Sequence, residues 1–181
     1  MCEDLSNDIK IVELIDDIDT NTKHLKFSVT DDTLEEILFN IAKRAIPLIN
    51  THFDVNIQKV EKIEVEYFTA GHTLSSPKCD NSMFFNNQWV RDQPYDFTMC
   101  LFLNSEYDKT EDLDVSFECY GGSLQFPQHH QKIHPSAGCA VVYPSDPHFI
   151  NLTGSVALGS LMKVNFYFSC DKMYIYNPKG V

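Results

Sequence analysis

Residues 76–81 read SPKCDN, which sets the Cys79 thiol directly before the Asp80 carboxylate and directly after the Lys78 ammonium. A thiolate and a carboxylate in one turn can supply half of a metal site, or do no more than close an Asx turn; the residue types leave both open. His72 lies upstream beside Gly71, and His148 follows Pro147 at the head of an apolar run. His129, His130 and His134 fall in or beside a polar hairpin turn, where no cysteine has the spacing to complete a zinc site. The six cysteines include no CxxC pair, and several sit in apolar runs, as buried free thiols do in a reducing compartment. No nucleophile arrangement or phosphate-cradling glycine loop is present.

The elements that must position these residues divide at about residue 60. Before it, Thr30 to Asn50 is the one clear helix: Leu34, Ile37, Leu38, Ile41 and Ala45 recur at helical spacing, Asp32 and Glu35 can form a capping box, and Pro47 marks an end or a kink. The stretch IKIVELIDDID before it reads as strand or short helix. After it come short apolar runs punctuated by Gly, Pro, Asn, Asp and Ser: residues 60–68, 97–104, 121–126, 138–144, 147–152, 161–169 and 173–176. Such a series predicts a sandwich or jelly roll rather than alternating βαβ units. The acidic stretch 105–116 reads as an exposed loop.

A chain of 181 residues with 43% hydrophobic content is expected to form a single domain over 1–181, with 1–59 supporting a jelly-roll core over 60–181. Its net charge of -12 argues against nucleic acid as a ligand. No apolar run approaches a membrane span, so the chain is expected in cytosol or nucleus rather than secreted.

The order of Tyr67…Gly71…Leu74, CDN, MCLFLN, GGSLQF, PSAGCAVVYPSD, His148 and VNFYF resembles the double-stranded β-helix of the iron(II) and 2-oxoglutarate (2OG) dependent dioxygenases, in the prolyl-hydroxylase-like branch. The resemblance implies an α+β fold: a jelly roll with an N-terminal helix or helices packed on one sheet. It implies a metal site at Asp80 and His148, with Lys78 at the position where the family carries the first histidine of its His-x-Asp pair. It also implies cosubstrate contacts at Tyr67 and Lys163. A lysine gives up its proton only at a reference pKa of about 10.4, so it is a poor iron ligand at neutral pH. KCDNSMFFNNQWV is similar to the poxvirus prolyl-hydroxylase-like proteins that lack iron ligands and engage a host hydroxylase.

The expectation is therefore a protein of this fold with an incomplete iron site and no cofactor. It would act by binding a protein partner, with a cellular hydroxylase as the candidate, through Phe84, Phe85 and Trp89 beside Met83. The alternative is an active Fe(II) and 2OG dependent dioxygenase of protein or peptide side chains, using Asp80, His148, a third ligand such as His72 or Cys79, and Lys163 on the cosubstrate. A third reading, a ligand-binding jelly roll unrelated to the hydroxylases, puts His148 in solvent.

Overall fold

A computed structural model describes residues 23–29, 31–107 and 118–176. In chain order the elements are β1 (His24–Ser28), α1 (Asp32–Phe53), β2 (Ile57–Thr69), β3 (Ser82–Phe85), β4 (Gln88–Arg91), β5 (Phe97–Phe102) and β6 (Ser105–Glu106), followed by β7 (Glu118–Gly121), β8 (Leu124–Phe126), β9 (Gln131–Ile133), β10 (Ala140–Pro144), β11 (Leu152–Thr153) and β12 (Val156–Cys170). The major sheet runs β1-β2-β12-β5-β10, with β7 joined to β12 and β6 to β7; β11-β8-β9 form the opposing sheet, and β3-β4 stand apart as a hairpin. This is the jelly roll with one helix on one sheet that the resemblance implies. Among the described residues, no helix is long and apolar enough to cross a membrane.

The helix differs from its sequence reading at both ends. Its N-cap is Asp31, whose side chain accepts from the Leu34 N–H at 2.8 Å, so Asp32 lies inside the first turn instead of capping it. It also runs through Pro47 to Phe53. Proline forfeits one backbone hydrogen bond there, while the apolar stripe of Leu38, Ala42 and Ile49 stays buried on the sheet. Two apolar runs are likewise not the strands they resemble. Residues 147–149 form a 3-10 turn and only Leu152–Thr153 form a strand, Asn151 making an isolated bridge, while residues 173–176 join no sheet. The run IKIVELIDDID and residues 108–116 of the acidic stretch lie outside the described residues.

Strand alternation sorts the central strands into two layers. Val65, Tyr67, Val164, Phe166 and Phe168 face α1. Phe68 and Leu161 face the jelly-roll interior with Cys100, Phe102, Leu124, Phe126 and Tyr143. Both faces of β12 and of the second half of β2 are buried, with charged residues standing among the apolar ones.

Near its start β12 runs so close to β7 that Gly159 is required there. Its φ is +68° and an added Cβ would stand 2.0 Å from the Glu118 carbonyl oxygen. Gly159→Ala is expected to cost about 3 kcal/mol or more, read as a lowered urea midpoint, because backbone must move rather than a side chain. An unchanged midpoint would mean that β7 and β12 are not in this register.

Candidate functional site

The charged residues converge because of register. Lys26 on β1, Glu66 on β2 and Lys163 on β12 are direct cross-strand partners, forming one cation, carboxylate, cation row on the interior face. Lys26 Nζ stands 2.6 Å from Glu66 Oε1, and Lys163 Nζ stands 2.9 Å from Oε2. Glu66 is 1% exposed and Lys163 2%. Lys163 also donates to Thr153 Oγ1 at 2.9 Å and sits over the Phe68 ring.

A second cluster adjoins this row. Lys78 and Asn151 exchange backbone hydrogen bonds of 2.8 and 2.9 Å, an isolated antiparallel bridge that brings SPKCDN beside the segment entering β11. Lys78 Nζ then lies 3.2 Å from Asp80 Oδ1 and 3.8 Å from Glu66 Oε1. The other carboxylate oxygen, Asp80 Oδ2, accepts from the Tyr143 hydroxyl at 3.0 Å and from Asn151 Nδ2 at 3.1 Å. Three ammonium groups thus face two buried carboxylates.

The charges hold each other in place. Burial alone would push the Glu66 carboxyl up, but Lys163, His24, Lys78 and Lys26 together hold it far below the usual carboxylate range. For Lys78, burial opposes the charge, and Asp80 foremost, with Tyr167 and Glu66, outweighs it, so the ammonium keeps its proton well above the ordinary lysine range. Tyr143 is raised by burial and then by Asp80, which leaves a protonated hydroxyl to donate.

The sequence-predicted residues divide. Lys78, Asp80 and Lys163 come together. His148 does not join them: it lies in the 3-10 turn, its side chain is 55% exposed, and its Nδ1 stands 3.1 Å from Asp146 Oδ1. The buried side chain facing Asp80 from this segment is Asn151, because the turn carries His148 outward before the chain enters β11. Tyr67 is also displaced from the role given to it. It belongs to the layer under α1, and the aromatic that faces the interior is its neighbour Phe68. His72 abuts the Phe68 ring and contacts neither Asp80 nor Lys78 in the described interactions; burial pushes its pKa down, followed by His24 and Lys163. The Cys79 thiol donates to the Ser145 carbonyl at 3.2 Å, and burial raises its pKa.

Glu66, Tyr143 and Asn151 escaped sequence reasoning. A glutamate between Val65 and Tyr67, in register with Glu64 and Phe68, was the available sign of Glu66. Asn151, a lone amide between Ile150 and Leu152, was the sign of the second. Among the described residues, no group of three or more His, Cys, Asp or Glu side chains is placed to hold a metal ion.

The hairpin β3-β4 projects beside this cluster. Asn86 and Asn87 at its tip have φ of 48° and 63°, as a two-residue type I′ turn requires. Arg91 anchors its base, 3.0 Å from Asp96 Oδ1. Phe84 and Trp89 pair edge to face at 5.3 Å, yet both are exposed, as are Met83, Phe85 and Val90. These apolar side chains point outward rather than packing under the loop.

No family model matches the chain, and no curated relative matches it. Solved structures share its fold. The viral collagen prolyl hydroxylase of Paramecium bursaria Chlorella virus-1, in its 2OG complex, superposes with a TM-score of 0.61 at 16% identity, covering 80% of this chain and 77% of that one. A prolyl hydroxylase from Trichoplax adhaerens, in complex with a hypoxia inducible factor oxygen degradation domain peptide, gives 0.53 at 14%, over 81% and 63%. An oxidoreductase of the 2OG-Fe(II) oxygenase family from Burkholderia pseudomallei gives 0.54 at 11%, over 74% and 57%.

Proposed function

We propose that this chain, which has the jelly-roll fold of the prolyl-hydroxylase-like 2OG oxygenases, acts by binding a protein rather than by oxidising one. One observation carries the reading: the Asp80 carboxylate is already satisfied by a protonated lysine, an amide and a phenol. Ferrous iron in such folds needs imidazole lone pairs beside a carboxylate. Lys78 presents a held proton, Asn151 presents its NH₂, and neither offers a nitrogen donor, so the residues present do not fit the metal. The cosubstrate fits no better: Lys163 already pairs with Glu66, and Phe102 and Leu161 fill the adjoining interior.

The contact surface in this reading is the hairpin. Aromatic side chains are enriched at protein interfaces, and Phe84, Phe85 and Trp89 are exposed together on this hairpin. A cellular hydroxylase of the same fold is the partner suggested by the resemblance to the poxvirus proteins.

The test has two arms. Incubated with Fe(II), ascorbate and 2OG, the purified chain is expected to form no succinate above a protein-free control. Binding to the catalytic domain of a cellular prolyl hydroxylase, followed by anisotropy, is expected to weaken about 10-fold or more in Trp89→Ala. Succinate formation by the parent overturns the first claim; equal affinity of parent and variant overturns the second.

A further inference from the structure

A two-stranded hairpin on a folded domain ordinarily lays one face on the body beneath it and gives the other to water. In β3-β4 neither face is covered. Cross-strand pairing sets Phe84 opposite Trp89 and Met83 opposite Val90, and alternation puts these pairs on opposite faces, with Phe85 on the side of Met83. Phe84 is 60% exposed and Phe85, its neighbour on the other face, 59%. Since an aromatic side chain offers about 150–250 Å², the two faces with Met83 and Val90 leave roughly 500 Å² of apolar surface in water, as much as the largest patch a soluble monomer ordinarily carries. The base, by contrast, is fixed. Buried Asn81 donates to the Tyr95 carbonyl at 2.9 Å and Arg91 to the same carbonyl at 3.0 Å, while the N–H groups of Asp92 and Gln93 donate to the Asn81 carbonyl. The finger therefore leaves the body in one orientation, which spares a partner part of the ordering cost of docking.

We propose that the hairpin is a wedge that enters a slot on its protein partner, with both faces buried at once between two apolar walls and a basic side chain at the slot's lip. This rests on the reading that the chain acts by protein binding, and it names the chemistry the partner surface must present. Area favours two walls over one: both faces with an equal area of slot make about 1,000 Å², the least that a specific interface ordinarily buries, and one face alone gives about half of that. The lip follows from charge. Asp96 takes up the Arg91 guanidinium, whereas Asp92 beside it is exposed without an ion pair among the described residues, on a chain of net charge -12. Two other occupants match the hairpin less well. A second copy stacked face to face would cover one face of each hairpin and bring together two chains of like charge. A bilayer would have to admit the tip first, and the tip is Asn86 and Asn87, whose amides would lose water there without replacement.

The experiment measures binding of the full chain to the catalytic domain of a cellular prolyl hydroxylase by anisotropy, with one ring removed from each face in turn. Phe84→Thr and Phe85→Thr are each expected to weaken binding about 10-fold or more, and Asp92→Lys about 3-fold at low salt. All three residues are exposed, so the urea midpoints of the variants are expected to match the parent's. Parent affinity retained by either phenylalanine variant shows a one-faced contact and overturns the wedge; parent affinity in Asp92→Lys overturns the basic lip. A lowered midpoint in Phe84→Thr or Phe85→Thr shows a ring packed on its own domain and also overturns the wedge. Trp89 is the only tryptophan of the chain, so its emission reports on the hairpin without any partner. Its wavelength is expected to stay constant as protein concentration rises and as phosphatidylcholine vesicles are added. A blue shift with concentration assigns the surface to a second copy, one with vesicles assigns it to a membrane, and either overturns the proposal. A parent that leaves the hydroxylase unbound overturns the partner reading and the wedge with it. A parent that binds, with Phe85→Thr binding equally well, overturns the wedge alone.

Discussion

Lys163→Met is expected to destabilise the protein by about 3 kcal/mol at pH 7, the lower end of the range for breaking a buried ion pair. The methionine keeps the length of the aliphatic stem against Phe68, so the loss is electrostatic rather than a packing defect. Glu66 keeps Lys26 at 2.6 Å, which holds the loss at the lower end. The pH dependence follows from the direction of the Glu66 shift. Burial acts to raise its pKa from 4.5, and the surrounding cations, Lys163 foremost, depress it further than burial raises it. A depressed folded-state value contributes stability that is complete above the unfolded value and lost as pH falls toward the folded one. Without Lys163, burial counts for more, the folded-state value climbs toward the unfolded one, and the contribution of Glu66 is smaller and is spent at a higher pH than in the parent. The gap between parent and variant should therefore be widest near neutrality and narrow only where the variant's Glu66 takes up its proton while the parent's still holds its charge. Urea unfolding of both proteins at pH 7 and at progressively lower pH checks this; a gap of constant size would show that Lys163 acts through packing alone.

Lys78→His/Asn151→His is expected to turn a site without suitable donors into one that binds a divalent transition metal, with affinity at least roughly 100-fold above the parent's. The two replaced side chains already converge on one carboxylate, Lys78 on Oδ1 and Asn151 on Oδ2 of Asp80. Imidazoles at both positions complete two nitrogens and a carboxylate, the set that suits Fe(II) and its stand-in Co(II). The single Lys78→His change should fall well short, since Asn151 still presents its amide. Pairing Lys78→His with His148 is expected to fail as well, because the 3-10 turn holds His148 in solvent beside Asp146. Titration with Co(II), followed by its visible absorption, separates these variants. Tight binding by the single variant would mean that another residue supplies the third ligand.

That Lys78 stands beside Asp80 was legible in the sequence because two residues of one turn are neighbours whatever the fold. The same holds for the jelly roll, whose strands are punctuated by turn residues, and for Lys163, whose strand could be placed from VNFYF. His148 was misplaced because a histidine after proline resembles a strand start, and the sequence does not display the 3-10 turn that moves the strand's beginning to Leu152. Tyr67 and Phe68 differ by one residue, and the alternation of Glu64 and Glu66 with Ile63 and Val65 looks like a solvent face opposite a core face, whereas both faces are buried and the glutamates share the interior one with Phe68. Glu66 was hidden for a related reason. Its partners Lys26 and Lys163 lie far apart in the chain, and only the register of three strands makes them neighbours.

The measurement that bears most directly on the proposal that no iron centre forms is the metal content of the protein purified without chelator and then exposed anaerobically to excess Fe(II). Gel filtration is expected to strip the iron and leave far less than one ion per chain. One ferrous ion retained per chain, lost on Asp80→Ala, would contradict a protein whose carboxylate is already taken by a lysine, an amide and a phenol.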